Sequence, residues 1–312
     1  MYALKNMRIP IIDMGLIGLS SDPSETEWQR VGKEICTALG DIGFLYLKGH
    51  GVNLDLVEKA FSTSAEFFAL DEDIKLGYPR NPEKQQGYVA VNREKFNADI
   101  NPHEFREAYD VKRMDGLFPD EVVPAMRPAV KSLADSCIAL SNRILEAMAV
   151  GLDIDRKFFT STHKDICSDN NASCLRMLHY PPVPPNVPEG SIRCGTHTDY
   201  GTITFLFQDT MGGLEVRDRN DDWVPATPIP DTILVNVGDI LQFWSSDKLR
   251  ATEHRVLIPS EELIAKVSRR SIVFFLHPDD PVLIKPLDGS DQYQPITAKA
   301  HVVKRFSETY QY

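Results

Sequence analysis

After Asn171 the chain becomes a succession of short apolar, β-branched and aromatic runs separated by turn residues. They are Ser173 to Tyr180, Thr202 to Phe207, Gly213 to Val216, Thr232 to Val237, Ile240 to Trp244, Glu253 to Leu257 and Arg270 to Leu276. Many short strands at roughly regular spacing predict an all-β sandwich, jelly roll or barrel. The proline patch Pro181-Pro182-Val183-Pro184-Pro185 reads as a connection inside this unit.

The first half reads differently. Arg8 to Asp13 predicts a short strand, and Ser24 with Glu27 forms a capping box. The helix it starts carries Trp28, Val31, Ile35 and Leu39 on one face and stops at Gly40. Gly43 to Leu47 predicts a strand ending at the turn Lys48-Gly49-His50-Gly51, and Asn53 caps a second helix with Leu56, Val57, Ala60, Phe61, Phe67 and Phe68 toward a core. Val130, Leu133, Cys137, Leu140, Ile144 and Met148 recur at helical spacing, with Gly151 closing a long scaffold helix. Between them, Tyr78 to Pro124 lacks periodicity, apart from Gln85 to Tyr88 and Phe105 to Asp110. A long irregular segment on a rigid scaffold either carries specificity or is a surface insertion. The fold expected is α+β: a β-core flanked by helices, mostly from the N-terminal half. Residues 1–120 form the helical and strand region, and residues 121–312 the scaffold helix plus β-core, as one structural unit.

A net charge of −11 on 312 residues gives no support for a nucleic-acid backbone or an anionic membrane as partner. Met1 to Arg8 has no apolar secretory core, and no window of about twenty apolar residues predicts a membrane span. The residues Glu308 to Tyr312 match no address signal. Cys36, Cys137, Cys167, Cys174 and Cys194 are scattered without C-x-x-C spacing, which predicts reduced thiols in a cytoplasmic protein. No coiled-coil seam is visible, so a monomer or weak homo-oligomer is expected.

The chemistry centres on Gly195-Thr196-His197-Thr198-Asp199-Tyr200-Gly201. In an extended segment residues i and i+2 share a face, so His197 and Asp199 point into one space, with His254 the candidate third ligand. Two His and one carboxylate on one face of an octahedron leave positions open, as non-haem Fe(II) oxygenases require. H-x-D alone also occurs by chance, and a lone His on a strand is commonly a hydrogen-bonded core residue. Arg269-Arg270-Ser271 adds weight: in a strand Arg269 and Ser271 share a face, and a guanidinium fork with a nearby hydroxyl can clamp a carboxylate. The plain alternative is a surface Arg pair at a strand start.

H-x-D, a distant H and R-x-S together resemble the 2-oxoglutarate/Fe(II)-dependent oxygenases of the isopenicillin N synthase-like family. The flanking blocks are similar too: Leu175 to Pro182, His197 to Gly201, Val235 to Asp239, Thr252 to Val256, Ile9 to Asp13 and Gly43 to Gly51. The resemblance spans nearly the whole chain. It implies a double-stranded β-helix (jelly-roll) core and an enzyme that oxidises, first of all hydroxylates, a C–H bond of a small-molecule substrate, releasing succinate and CO2. It implies Fe(II) on His197, Asp199 and His254, 2-oxoglutarate as co-substrate with its distal carboxylate on Arg269, Ser271 and Tyr180, and O2. Leu178 stands where many plant members have Asn, which weakens transfer of their activities, and Arg270 replaces the commoner aromatic. The blocks around the ligands are also similar to fungal thymine hydroxylases.

Pleat parity extends this to substrate. If Tyr180 faces the cavity, so do Arg176 and Leu178, and if Ser271 does, so does Phe275. With Tyr200 beside Asp199, the set Arg176, Tyr200 and Phe275 suits a planar, polar molecule such as a heterocyclic base. Phe275 could equally be a core aromatic, and Arg176 an anchor for Tyr180 or Asp199. Cys194, His50, His179 and His277 read as structural. Rival readings are an oxidase of the same fold that does not use 2-oxoglutarate, a non-catalytic β-sandwich that binds a small carboxylate or metal, and a zinc hydrolase. The last gives no reason for the R-x-S clamp.

Overall fold

The computed structural model describes residues 9–20, 22–96, 103–184, 187–258 and 267–309. The readings at residues 1–8, 185 and 310–312 lie outside it.

The strands form two facing sheets and a small pair. The large sheet runs β1 (Ile11–Asp13), β2 (Phe44–Lys48), β10 (Ile233–Val237), β7 (Ile203–Gln208), β12 (Arg269–Leu276), β5 (Cys174–Tyr180), β4 (Glu107–Val111) and β3 (Gly87–Val89) in spatial order. The small sheet is β6 (Cys194–His197), β11 (His254–Val256), β8 (Leu214–Arg217) and β9 (Trp223–Pro225). β13 (Leu283–Ile284) and β14 (Ile296–Thr297) pair separately. This is the jelly-roll core with flanking helices. The two ordered islands of the irregular stretch are β3 and β4, which extend the large sheet past β5.

Alternation along the strands builds both sides of the large sheet. On β12, Ile272, Phe274 and Leu276 join Leu175 and Met177 of β5 in the main core, together with Trp28, Val31, Leu133, Cys137 and Ile144 from the helices. The opposite parity of the same strands, with Leu178, Tyr180 and Val273, meets Cys194, Leu214, Val216 and Val256 of the small sheet in a second core. Arg269, Ser271 and Tyr180 lie on that inner face.

The helical layer follows its sequence signals. α1 (Glu25–Asp41) starts at Ser24, whose hydroxyl accepts from the Glu27 N–H while the Glu27 carboxylate accepts from the Ser24 N–H at 2.6 Å. It runs one residue past Gly40, to Asp41. Asn53 caps α2 (Leu54–Phe68) through the Asp55 N–H at 2.9 Å. α3 (Glu72–Leu76) follows. α4 (Met126–Gly151) is the long scaffold helix, and its Gly151 faces Gly32 of α1. A Cβ at either glycine would collide with the other helix's backbone, so the pair sets how closely α1 and α4 approach. α5 (Phe158–Ser161) is a short turn.

One expected strand is a helix. Ile240 to Trp244 belongs to α6 (Asp239–Trp244). A five-residue apolar run carries no decisive periodicity. Here the tertiary context decides, because Gly238 is extended and the Asp239 and Ile240 N–H groups bond the Asp199 and Gly201 carbonyls at 2.8 and 3.1 Å. The last helix, α7 (Ala298–Thr309), lies over one end of the inter-sheet space.

Candidate active site

β6 and β11 are antiparallel neighbours with His197 directly opposite His254. Asp199 lies two residues past the end of β6, on a loop pinned from behind by α6. Gly201 and Gly238 touch backbone to backbone there, with no room for a Cβ on either, which brings the Asp199 loop against the end of β10.

One imidazole nitrogen and one carboxylate oxygen per residue converge. Asp199 Oδ1 is 3.8 Å from Nε2 of both His197 and His254, and all three candidate donor atoms lie within 4.8 Å of one another. Among the described residues this is the one such cluster. Nδ1 of His197 is 2.8 Å from the Gly195 carbonyl and Nδ1 of His254 is 3.0 Å from the Thr252 carbonyl. A carbonyl only accepts, so each Nδ1 carries a hydrogen and each Nε2 is the nitrogen left to face a metal. The other carboxylate oxygen of Asp199 accepts from Thr204 Oγ1 at 2.6 Å and Asn236 Nδ2 at 2.7 Å. Burial, then His254, pushes His197 well below its ordinary value. Burial alone would raise Asp199, but His254, His197 and the two hydrogen bonds hold it below the usual carboxylate range. Two imidazoles and a carboxylate, each with its outward atom already bonded, are a donor set suited to a divalent transition metal.

Across the inner face, Arg269 and Ser271 sit side by side on β12, both buried, with Tyr180 opposite Arg269 on β5. The guanidinium lies 4.8 Å from the Tyr180 ring centroid, donates to the Gly212 carbonyl at 2.8 Å and to Gln208 Oε1 at 3.0 Å, and reaches Ser271 Oγ at 3.4 Å. Arg270, of opposite parity, is only half-buried and does not line the cavity.

Between these groups the sheets form a cavity of about 120 Å³, room for about four waters at their share of liquid volume. His197, Asp199, His254, Arg269, Ser271 and Tyr180 all line it. So do Arg176, Leu178, Tyr200 and Phe275. Arg176 is anchored by carboxylates in the irregular stretch: Asp110 at 2.6 and 2.9 Å and Glu94 at 2.9 and 3.0 Å. Tyr200 lies under α7, with the Arg305 guanidinium 4.6 Å from its ring and Phe306 against its edge.

Sequence reasoning missed several cavity residues. Glu94, Phe96, Arg106 and Asp110 come from the segment without periodicity, and Phe306 from the last helix, which sequence reasoning did not assign. Asn236 had a usable signal, since a lone amide inside the apolar strand Ile233–Val237 must find a buried partner. Gln208 and Thr204 share a parity on β7, and that parity faces the cavity.

The chain matches two family models: the 2OG-Fe(II) oxygenase superfamily over residues 171–278, and the non-haem dioxygenase in morphine synthesis N-terminal model over residues 9–128. A 2-oxoglutarate-Fe(II) type oxidoreductase of Metarhizium rileyi is 31% identical over 280 residues, covering 82% of this chain and 77% of its own. A 2-oxoglutarate-dependent dioxygenase of Aspergillus rugulosus is 31% identical over 291 residues, covering 85% and 86%. The thymine hydroxylase of Neurospora crassa, solved in complex with alpha-KG (2-oxoglutarate), superposes with a TM-score of 0.85 at 34% identity and covers 96% of each chain. The chain belongs to the 2OG-Fe(II) oxygenase superfamily and is a 2-oxoglutarate- and Fe(II)-dependent dioxygenase.

Proposed function

We propose that His197, Asp199 and His254 hold the Fe(II), that Arg269, Ser271 and Tyr180 hold the distal carboxylate of 2-oxoglutarate, and that the enzyme hydroxylates a small, uncharged, planar substrate resting on Arg176, Leu178, Tyr200 and Phe275. The observation that carries the first part is the convergence of three donor atoms whose other polar ends are already bonded to Gly195, Thr252, Thr204 and Asn236. Bound iron with 2-oxoglutarate and O2 supplies oxidation of a C–H bond coupled to decarboxylation of the co-substrate to succinate and CO2. The protein's residues orient and exclude. The Arg269 fork and the Ser271 and Tyr180 hydroxyls present donors to a carboxylate, and burial of all three keeps water from competing for it. The inner-face side chains Leu178, Leu206 and Val273 wall the cavity with hydrocarbon.

The charge balance at the far end supports an uncharged substrate. Arg80, Arg106 and Arg176 are each paired with buried carboxylates of Glu94, Glu104 or Asp110. Among the described residues these three cations face three carboxyl groups, and an anionic substrate would compete with those carboxyl groups for the guanidinium ions. Tyr200, Phe275 and Phe306 offer aromatic surface to a flat ring, while the edges of the ion pairs offer hydrogen bonds. The Neurospora enzyme, which this chain resembles, was solved with thymine and with 5-formyluracil, and a neutral pyrimidine-like heterocycle fits the same reasoning here. All five cysteines are free, in keeping with a cytoplasmic location. Among the described residues no helix is long and apolar enough to cross a membrane.

Succinate release over a panel of neutral pyrimidines and their carboxylated counterparts tests both parts. We expect stimulation by neutral members only, and none in His197→Ala. Equal turnover in His197→Ala would sink the metal assignment; stimulation by carboxylated members alone would sink the substrate reading.

A further inference from the structure

The His197 ring lies flat against Phe96, with centroids 4.1 Å apart and planes 1° from parallel. The same phenyl ring meets the Arg106 guanidinium 4.8 Å from its centroid. Both residues come from the irregular stretch, and one fully buried carboxylate connects them to the strand that carries His197. Glu104 Oε1 accepts from the Phe96 N–H at 2.6 Å, and Oε2 accepts from Arg106 Nε at 3.0 Å. Glu104 also takes a backbone hydrogen bond from Gly195, whose carbonyl receives the Nδ1–H of His197 at 2.8 Å. On either side of Glu104 the backbone is laced to the segment just before the strand: Phe105 N–H to the Ile192 carbonyl at 2.9 Å, and Ile192 N–H to the His103 carbonyl at 3.0 Å.

Burying Glu104 and Arg106 is costly, and an apolar filler would serve a passive wall at least as well. The contacts instead converge on one imidazole. The hydrogen bond to Gly195 fixes the tautomer and one point of the ring, but leaves the ring free to swing about that bond. A parallel phenyl face removes the swing.

We propose that Phe96, Arg106 and Glu104 are positioning residues for the metal centre: they hold the His197 ring in the plane that turns its Nε2 toward Asp199 and His254. The inference rests on His197, Asp199 and His254 being the iron ligands. It makes the irregular stretch part of the metal site as well as of the substrate end, because Glu94 pairs with both Arg106 and Arg176.

Titration of the metal-free protein with Mn(II), reading free Mn(II) by electron paramagnetic resonance, separates the possibilities. Partners of metal-bound His commonly contribute about 10- to 100-fold in metal affinity, so Phe96→Leu should weaken Mn(II) binding about tenfold and Arg106→Gln by a smaller factor. Phe96→Tyr keeps the stacking face and should bind like the parent. The melting temperature of the metal-free Arg106→Gln and Phe96→Tyr proteins supplies a folding control, and Arg106→Gln decides the matter alone if Phe96→Leu does not fold. Parent-like affinity in both Phe96→Leu and Arg106→Gln, or equal weakening in Phe96→Tyr and Phe96→Leu, would overturn the proposal. A His254→Ala protein that binds Mn(II) as the parent does would instead refute the ligand assignment, a separate result.

Discussion

The two ends of the cavity are built by different rules. At the metal and clamp end the side chains stand on regular strands at fixed spacing. Arg269 and Ser271 share a face of β12, and His197 and His254 face each other across β6 and β11. Their supporting bonds are short in sequence, to Gly195 and Thr252 two residues away, or lie on adjacent strands of one sheet, as Thr204 and Asn236 do. At the proposed substrate end Arg176 and Leu178 stand on β5, Tyr200 on the Asp199 loop and Phe275 on β12, while buried ion pairs between distant segments hold Arg80, Glu94, Asp110 and Arg176 around them. On the proposed assignment, local strand geometry sets the iron and 2-oxoglutarate sites, and long-range packing shapes the wall around the substrate. The Phe96–His197 contact is where the two systems touch.

That contrast can be broken experimentally. The largest effect is expected from Asp110→Asn, which removes the carboxylate shared by Arg80 and Arg176. Breaking a buried pair from one side typically costs about 3–5 kcal/mol, so a drop in denaturation free energy of that order is expected. Asp110→Asn combined with Arg80→Met should recover part of it, because Arg80 no longer faces the lost carboxylate while Arg176 keeps Glu94 in either protein. A stability unchanged by Asp110→Asn would mean the substrate end is not held by this pair. At the other end, Asn236→Ala should leave stability less affected and lower Mn(II) affinity about tenfold, since Asp199 loses one of its two orienting donors. Parent-like affinity would detach Asn236 from the site.

The last test concerns pH and is read as a slope per pH unit. Burial pushes His163 down to about 4 and His277 down to about 3, whereas an unfolded imidazole titrates at its ordinary 6.5. Nδ1 of His163 is 2.7 Å from the Phe159 carbonyl and donates to it, so in the neutral ring Nε2 accepts from Thr202 Oγ1 at 2.8 Å. Below pH 6.5 the unfolded chain binds protons that the folded chain refuses. Stability is therefore full above 6.5 and falls toward pH 4, by up to about 1.4 kcal/mol per pH unit for each group. His163→Gln should flatten that slope in a urea-denaturation series; an unaltered slope would remove His163 from the account.

Much of this was legible in the sequence where the determinant is local. The Ser24–Glu27 box, the periodic face of α4 and the parity of Arg269, Ser271 and Phe275 are set by neighbours within a turn or a pleat. The Ile240–Trp244 run failed that test because its conformation is chosen by the Asp199 and Gly201 carbonyls against it. Glu94, Phe96 and Arg106 were invisible for the same reason on a larger scale. Arg176 finds Asp110 and Glu94 at sequence separations of 66 and 82, and no spacing rule reaches that far. Tyr200 was placed by its adjacency to Asp199, but the α7 residues covering it had no such marker.

The central claim is that one cluster binds Fe(II) while Arg269 receives the co-substrate beside it. Anaerobic addition of 2-oxoglutarate to the Fe(II)-loaded protein, followed by visible absorption, tests this most directly. The parent should develop a metal-to-ligand charge-transfer band and His254→Ala should not. Arg269→Ala should need about 10- to 100-fold more 2-oxoglutarate, the equivalent of one lost charge-assisted hydrogen-bond pair. A full band in His254→Ala, or an unchanged half-saturation in Arg269→Ala, would contradict the account.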